Sequence, residues 1–393
     1  MKPTITSILV LALSGGLLPG ASTWESRMQE ANADLSNGRL VEAGRMYREA
    51  AEEARAFPEG DPRTAQALLN LATYYFATAR YNEAEHQFRL GLAAAERSHS
   101  DTDAAIGWSN LGATLAALGQ FDAAQSAYEK ALAIGERAYG KNSRQAANVL
   151  NNLAELERKR GRLSQAEQAA RAALELTERL TGPDSAETAN RLHTLALIRA
   201  DQKRYSEALD LDKRALAIQR QTLGEDHPRT RATLANLGAA ELALGRLDEA
   251  ETLINGYLAS ADHGSDRPDP ALAAVVNNLA QLYRQRNQLA KAELFYRRAI
   301  EIWESGGTPD QPEFARILVN FGGCLQESGR EHEALRNYER ALAIYKKSLG
   351  DGHERTRDVE IRMAAVYRTL GRDADALRFE RSTSVVQMSR SSR

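Results

Sequence analysis

A single cysteine, Cys324, rules out an intramolecular disulfide and any metal site built from several thiolates. Proline is scarce, 10 in 393 residues, while the good helix formers Ala, Leu, Glu, Arg and Gln abound, so the chain leans all-α. Neither sign of charge dominates: 51 basic against 53 acidic residues leave a net charge of −2. That balance argues against a strong pull toward nucleic acid or an anionic membrane. The seven histidines are scattered. His332-Glu333 begins a zinc-helix motif, but Arg336 stands where its second histidine is required. A phosphate loop, a nucleophile elbow and a paired acid–base constellation are also missing. The expectation is therefore no catalytic residue, no cofactor, no metal, no small-molecule substrate and no enzyme.

Long apolar runs are missing too, apart from one at the start. Lys2 precedes the apolar run Ile5 to Leu13, and a small-residue, helix-breaking exit follows from Ser14 to Ala21. The run is too short to span a membrane comfortably and reads as a secretory signal peptide over residues 1–23. Cleavage would make the protein periplasmic or secreted, with membrane contact only if the segment is retained. At the other end, residues 381–393 are rich in Ser and Arg and read as a disordered tail.

What fills residues 24–380 is a repeat. The anchors Arg39, Arg80, Gln120, Arg162, Arg204, Arg246, Gln288, Arg330 and Arg372 follow one another at steps of 41, 40 and then six times 42 residues. Four residues after each anchor stands an alanine, from Ala43 and Ala84 to Ala334 and Ala376. Eight residues before each stands Ala or Gly, such as Ala72, Gly112, Ala154 and Gly322. Large apolar residues at helical spacing fill the seam, among them Leu71, Leu111, Phe88, Tyr128, Tyr296 and Tyr338. Two antiparallel helices approach to about 8–10 Å only where the side chains at their crossing permit it, which is what the two small columns supply. Gly followed by Asp, Ser, Asn or Pro, as in Gly140-Lys141-Asn142-Ser143 and Gly224-Glu225-Asp226-His227-Pro228, marks where one unit stops and the next starts. His227 and His353 belong to these turns, as cap or turn residues.

Small-residue pairs twelve apart, an aromatic four residues later and another small residue three beyond resemble the tetratricopeptide repeat. Leu150-Asn151-Asn152-Leu153-Ala154 and Arg162-Leu163-Ser164-Gln165-Ala166-Glu167 resemble its kinesin-light-chain subclass. The resemblance implies a right-handed superhelical solenoid of about nine helix–turn–helix units with worn ends, whose first helices line a concave groove. It implies nothing about kinesin transport, since only the repeats match.

One stripe of each first helix points away from its partner helix. Its central column reads Asn70, Asn110, Asn152, Thr194, Asn236, Asn278 and Asn320, and Asn148, Asn151, Asn190 and Asn277 enlarge it. Propensity does not explain so many asparagines on helices. A side-chain amide both donates and accepts, which suits pairing with a peptide backbone. The alternative is that these amides bond the neighbouring repeat. Leu69, Phe76 and Ile106 would give the early groove an apolar floor. Arg158, His193, Gln281, Arg284 and Arg316 would make its later part polar, with arginine forks suited to carboxylates. The leading reading is an exported interaction scaffold that holds an extended peptide or partner segment in this groove. The alternative reading is a self-assembling or organising subunit of an envelope complex.

Overall fold

The computed structural model describes residues 23–37, 39–225, 227–261, 270–306 and 311–379. The expected signal segment, except Thr23, and the Ser/Arg-rich tail lie outside them. Among the described residues there is no strand, and no helix is long and apolar enough to cross a membrane.

The chain divides into two compact units, residues 1–202 and 203–393. The first contains α1 Thr23–Ser36, α2 Leu40–Glu53, α3 Pro62–Ala77, α4 Tyr81–Arg97, α5 Asp101–Ala117, α6 Phe121–Tyr139, α7 Arg144–Lys159, α8 Leu163–Thr181 and α9 Ala186–Asp201. The second contains α10 Tyr205–Thr222, α11 Pro228–Ala243, α12 Leu247–Ala261, α13 Pro270–Gln285, α14 Leu289–Gly306, α15 Pro312–Glu327, α16 Glu331–Leu349 and α17 Glu354–Thr369, followed by a short helix over residues 373–379. Odd-numbered helices open a repeat and even-numbered helices close it. Within each unit they pack as antiparallel hairpins, and successive first helices also meet: α3 with α5, α5 with α7, α7 with α9, then α11 with α13 and α13 with α15. This is the all-α repeat solenoid that the 42-residue stride predicts.

Every anchor is a helix start. Arg39, Arg80, Gln120, Arg162, Arg204 and Arg330 are the residues immediately before α2, α4, α6, α8, α10 and α16. The turn that delivers them is a Schellman motif: the N–H of Gln120 reaches back to the carbonyl of Leu115 at 2.9 Å, and that of Arg162 to Glu157 at 2.9 Å. The residue before the anchor takes positive φ. Glycine usually holds that place, but Ala79, Lys203 and Asn287 hold it at φ 60°, 62° and 59°.

Between repeats, a side chain caps the next first helix. Asp61, Ser143 and Ser185 accept the N–H groups of Arg63, Ala146 and Thr188 at 2.9, 3.2 and 3.1 Å. His227 and His353 do the same through Nδ1, at 3.2 and 3.1 Å.

The alanine column after the anchors is buried in all nine repeats. Opposite it, where Gly112 stands, a Cβ would lie 2.7 Å from the ring of Tyr128. The glycine on one helix therefore makes room for the aromatic on the other. Each unit has its own core. In the second, one apolar cluster extends from Leu209 to Ala376, and Trp303 stacks on Phe314 with centroids 5.9 Å apart.

Candidate functional site

The stripe expected on the first helices differs between the units. On α13, Asn278, Gln281 and Gln285 follow at i, i+3 and i+7, and all three are exposed. Gln281 and Gln285 make no polar contact among the described residues, so their amides face solvent with donors and acceptors free. Asn236 on α11 and Arg316 and Asn320 on α15 are half-buried members of the same stripe.

In the first unit the central column of the stripe is buried. Asn70 and Asn110 are each 1% exposed and engaged within the chain. Asn151 and Asn152 are buried as well, and Asn151 donates to Glu155 at 3.1 Å. The side-chain oxygen of Asn151 is buried with no partner. Asn148, Asn190 and His193 are half-buried. Asn148 accepts from Arg191, while the main-chain carbonyl of Asn190 takes the hydroxyl of Thr194 at 3.2 Å and its side-chain amide stays unbonded among the described residues. His193 has a partner within the chain.

The apolar floor needs correcting. Leu69 and Phe76 are core residues, clustered with Phe88 and Leu92. Leu69 turns inward because Gly91 and Gly107 leave it space: a Cβ on either would lie 2.7 or 3.0 Å from a Leu69 methyl carbon. Two glycines on neighbouring helices thus draw the leucine off the outer stripe. Ile106 is half-buried.

A regular set of polar bridges ties neighbouring first helices. Arg158 on α7 donates to Asp201 on α9 at 2.8 Å, and Arg191 on α9 donates to Asn148 on α7. Arg284 on α13 grips both oxygens of Glu327 on α15 at 2.8 and 2.6 Å, and Asn320 on α15 donates to Asn277 on α13 at 3.1 Å. All four bridges span 43 residues. The two arginine–carboxylate bridges occupy the same place in the repeat, three repeats apart. Arg158 and Arg284, two of the three forks expected to meet a partner's carboxylate, therefore already hold one from the next repeat. Arg284 also lies close over the backbone of α15, where a Cβ on Gly323 would come within 2.8 Å of its guanidinium. Hydrogen bonds from Arg284 hold the Glu327 carboxyl below its ordinary range, and Glu327 in turn raises the guanidinium.

The sequence reading missed Asp201, Glu327 and Arg191 because an acid or an arginine on a helix looks like solvated surface. Their signal was available in the repeat register: Arg158 and Arg284 share one position, and Asp201 and Glu327 share another. Among the described residues, no group of three or more His, Cys, Asp or Glu is placed to hold a metal ion. What the wall offers is hydrogen bonding from amides on a braced surface.

The chain matches the tetratricopeptide repeat over residues 24–97, 103–179, 146–221, 184–262 and 313–383, and a second model of that repeat over residues 272–305. No curated protein matches it. Among solved structures it is similar to the apo form of RapI, at 13% identity and a TM-score of 0.62, covering 93% of this chain and 98% of that one. It is also similar to the apo form of the quorum sensor NprR from B. thuringiensis, at 14% identity and a TM-score of 0.60, covering 92% and 98%. A putative kinesin light chain from Podosopora anserina with nearly identical TPR-like repeats is 22% identical, with a TM-score of 0.43 and coverage of 52% and 96%. Matched over most of its length and built from the hairpins those models describe, the chain belongs to the tetratricopeptide-repeat family.

Proposed function

We propose that the protein is an exported interaction scaffold that binds an extended peptide along the first helices of the second unit. The observation that carries this reading is the exposed amide stripe of Asn278, Gln281 and Gln285. These amides can donate to and accept from a peptide backbone whatever its side chains. The bridges from Arg284 to Glu327 and from Asn320 to Asn277 brace the helices on which the stripe sits. A surface held before the ligand arrives loses less freedom on binding. The fold is shared with the quorum sensor NprR from B. thuringiensis.

Panning a random peptide library against the full chain tests the site. Selected peptides should bind the parent and lose about tenfold or more in affinity to the Asn278→Ala, Gln281→Ala, Gln285→Ala triple variant, equivalent to about 1.4 kcal/mol. The thermal melt of that variant should change little, because Gln281 and Gln285 are exposed and unbonded among the described residues and Asn278 loses only the bond it accepts from Asn277. Retained affinity would remove the stripe from the site. Export rests on Lys2, the apolar run and the small-residue exit. Mass spectrometry of the protein's N-terminus in fractionated cells tests it: a retained Met1 in the cytoplasmic fraction would count against it.

A further inference from the structure

The second helices carry a different feature. Between α4 and α6, over α5, lies a cleft of about 930 Å³ floored by Trp108, Leu111 and Leu115. A second cleft of about 510 Å³ lies between α2 and α4, floored by Leu68, Leu71 and Tyr75. The two share Ala93, a small exposed residue of α4, as the low ridge between them.

Their rims are not electrically matched. Arg55 pairs with Glu52, Arg89 with Glu85 and Arg137 with Asp101, at 3.0, 2.6 and 3.1 Å. Arg48, Arg97 and Lys130 have no carboxylate partner among the described residues, and all three are exposed. Lys130 rests over the Trp108 ring, 4.3 Å from its centroid. Glu96 is a rim acid without a basic partner, so cations remain in excess. The corresponding cleft between α14 and α16 in the second unit shows the contrast. There Arg297 pairs with Glu293 at 2.7 Å, Arg340 with Glu304 at 2.6 Å and Arg336 with Glu333 at 3.9 Å.

We propose that the second-helix face of the first unit, across α2, α4 and α6, is a separate docking surface for an acidic amphipathic helix of a partner protein. Apolar side chains of that helix enter the two clefts on either side of Ala93. Its carboxylates meet Arg48, Arg97 and Lys130. The occupant is a helix because the walls are low: Ala93, Ala123 and Ala127 line the cleft, the kind of residue by which this fold brings its own helices together. The free cations select an acidic partner and speed its encounter.

Fluorescence anisotropy with the full chain tests this. The probe is a labelled helical peptide of about 18 residues, five turns, with leucines on one face and glutamates flanking them; its counterpart carries lysine for every glutamate. The acidic peptide should bind, and the basic one should not. Combined Arg48→Glu, Arg97→Glu and Lys130→Glu should weaken binding by about tenfold or more. Ala93→Trp, which fills the clefts from an exposed position, should abolish binding without moving the melt. The amide-stripe triple variant should leave binding unchanged, which separates this site from the peptide wall. The proposal fails if neither peptide binds, if both bind alike, if charge reversal has no effect, or if a single-stranded oligonucleotide binds this face in place of the acidic peptide.

Discussion

The side-chain amide of Asn320 on α15 donates to the side-chain oxygen of Asn277 on α13 across 3.1 Å, and Asn277 donates in turn to Asn278 at 3.2 Å. Asn277 is fully buried, whereas Asn278 is exposed. Two adjacent asparagines on one helix thus have opposite duties, one joining repeats and the other facing solvent. Asn277→Ala should cost about 1–3 kcal/mol, because it strands the amide of Asn320 as well as losing the bond. Asn278→Ala should cost less, under about 1 kcal/mol, because it removes only the acceptor of the Asn277 amide. A double-mutant cycle on Asn277 and Asn320, read by urea unfolding, should return a coupling of about 0.5 kcal/mol or more. Additive effects would show that the bridge contributes nothing.

Glu327 provides a pH test. Its carboxyl titrates below the ordinary range because Arg284 donates to it. A carboxylate with a lowered folded pKa contributes stability that is present above its unfolded value and lost as pH falls through the folded one. Glu327→Gln should therefore lower the neutral-pH melt slightly and reduce the acid-side loss of stability by the same amount. The pair is half-exposed, so its contribution should stay under about 1 kcal/mol and shrink in salt. Thermal melts across the acid range, with and without added salt, check both statements.

His227 gives the opposite handle near neutrality. Its Nδ1 accepts the N–H of Arg229, which requires a neutral ring. Burial, then the charges of Arg229 and Arg231, hold its pKa below the usual histidine value. The cap is intact above the unfolded histidine pKa and fails as pH falls through the lowered folded one. His227→Asn keeps a capping acceptor without a titrating group. It should remove the loss of about 1 kcal/mol otherwise seen on acidification toward about pH 5. Melting curves of parent and variant that fall in parallel would contradict this.

Ala79 occupies a left-handed backbone position at φ 60°, where the other repeats mostly have glycine. Ala79→Gly should stabilise the protein by about 1 kcal/mol by relieving that strain. Chemical denaturation reads the shift directly, and a destabilised variant would show that the turn carries no strain.

Gly112→Ala sets two effects against each other. Alanine is the better helix former by about 1 kcal/mol. Its Cβ, however, would lie 2.7 Å from the Tyr128 ring, and overpacking a tight core costs about 1–3 kcal/mol. The clash should win, lowering the melting temperature. Adding Tyr128→Leu should recover part of the loss by vacating the ring's place.

The fold was legible because its cause is local and repeated. Arg162 opens a helix, Ala166 lies buried one turn on, and Ala154 sits opposite on the preceding helix; each recurs every 42 residues. The duties of the stripe were less legible. Position within a repeat says which way a side chain leaves its own helix, but not what the next repeat places in front of it. Asn110 and Asn278 hold the same position, yet one is inside the protein and the other outside. Leu69 was misread because Gly91 and Gly107, which receive it, lie in different helices far along the chain. On the rims of the second-helix clefts, Arg89–Glu85, Arg297–Glu293 and Arg336–Glu333 are pairs at helical spacing that the sequence shows, whereas Arg137–Asp101 and Arg340–Glu304 join different helices, which no single helix reveals.

The four bridges span 43 residues in a chain whose stride is 42. Each rung therefore joins positions one residue out of step, and successive first helices face one another with a stagger. A molecule lying straight across several of them meets a diagonal of the alignment, not a column. Swapping whole repeats within the array should then preserve the fold while scrambling recognition, because what a ligand reads is distributed across neighbours and belongs to no repeat alone.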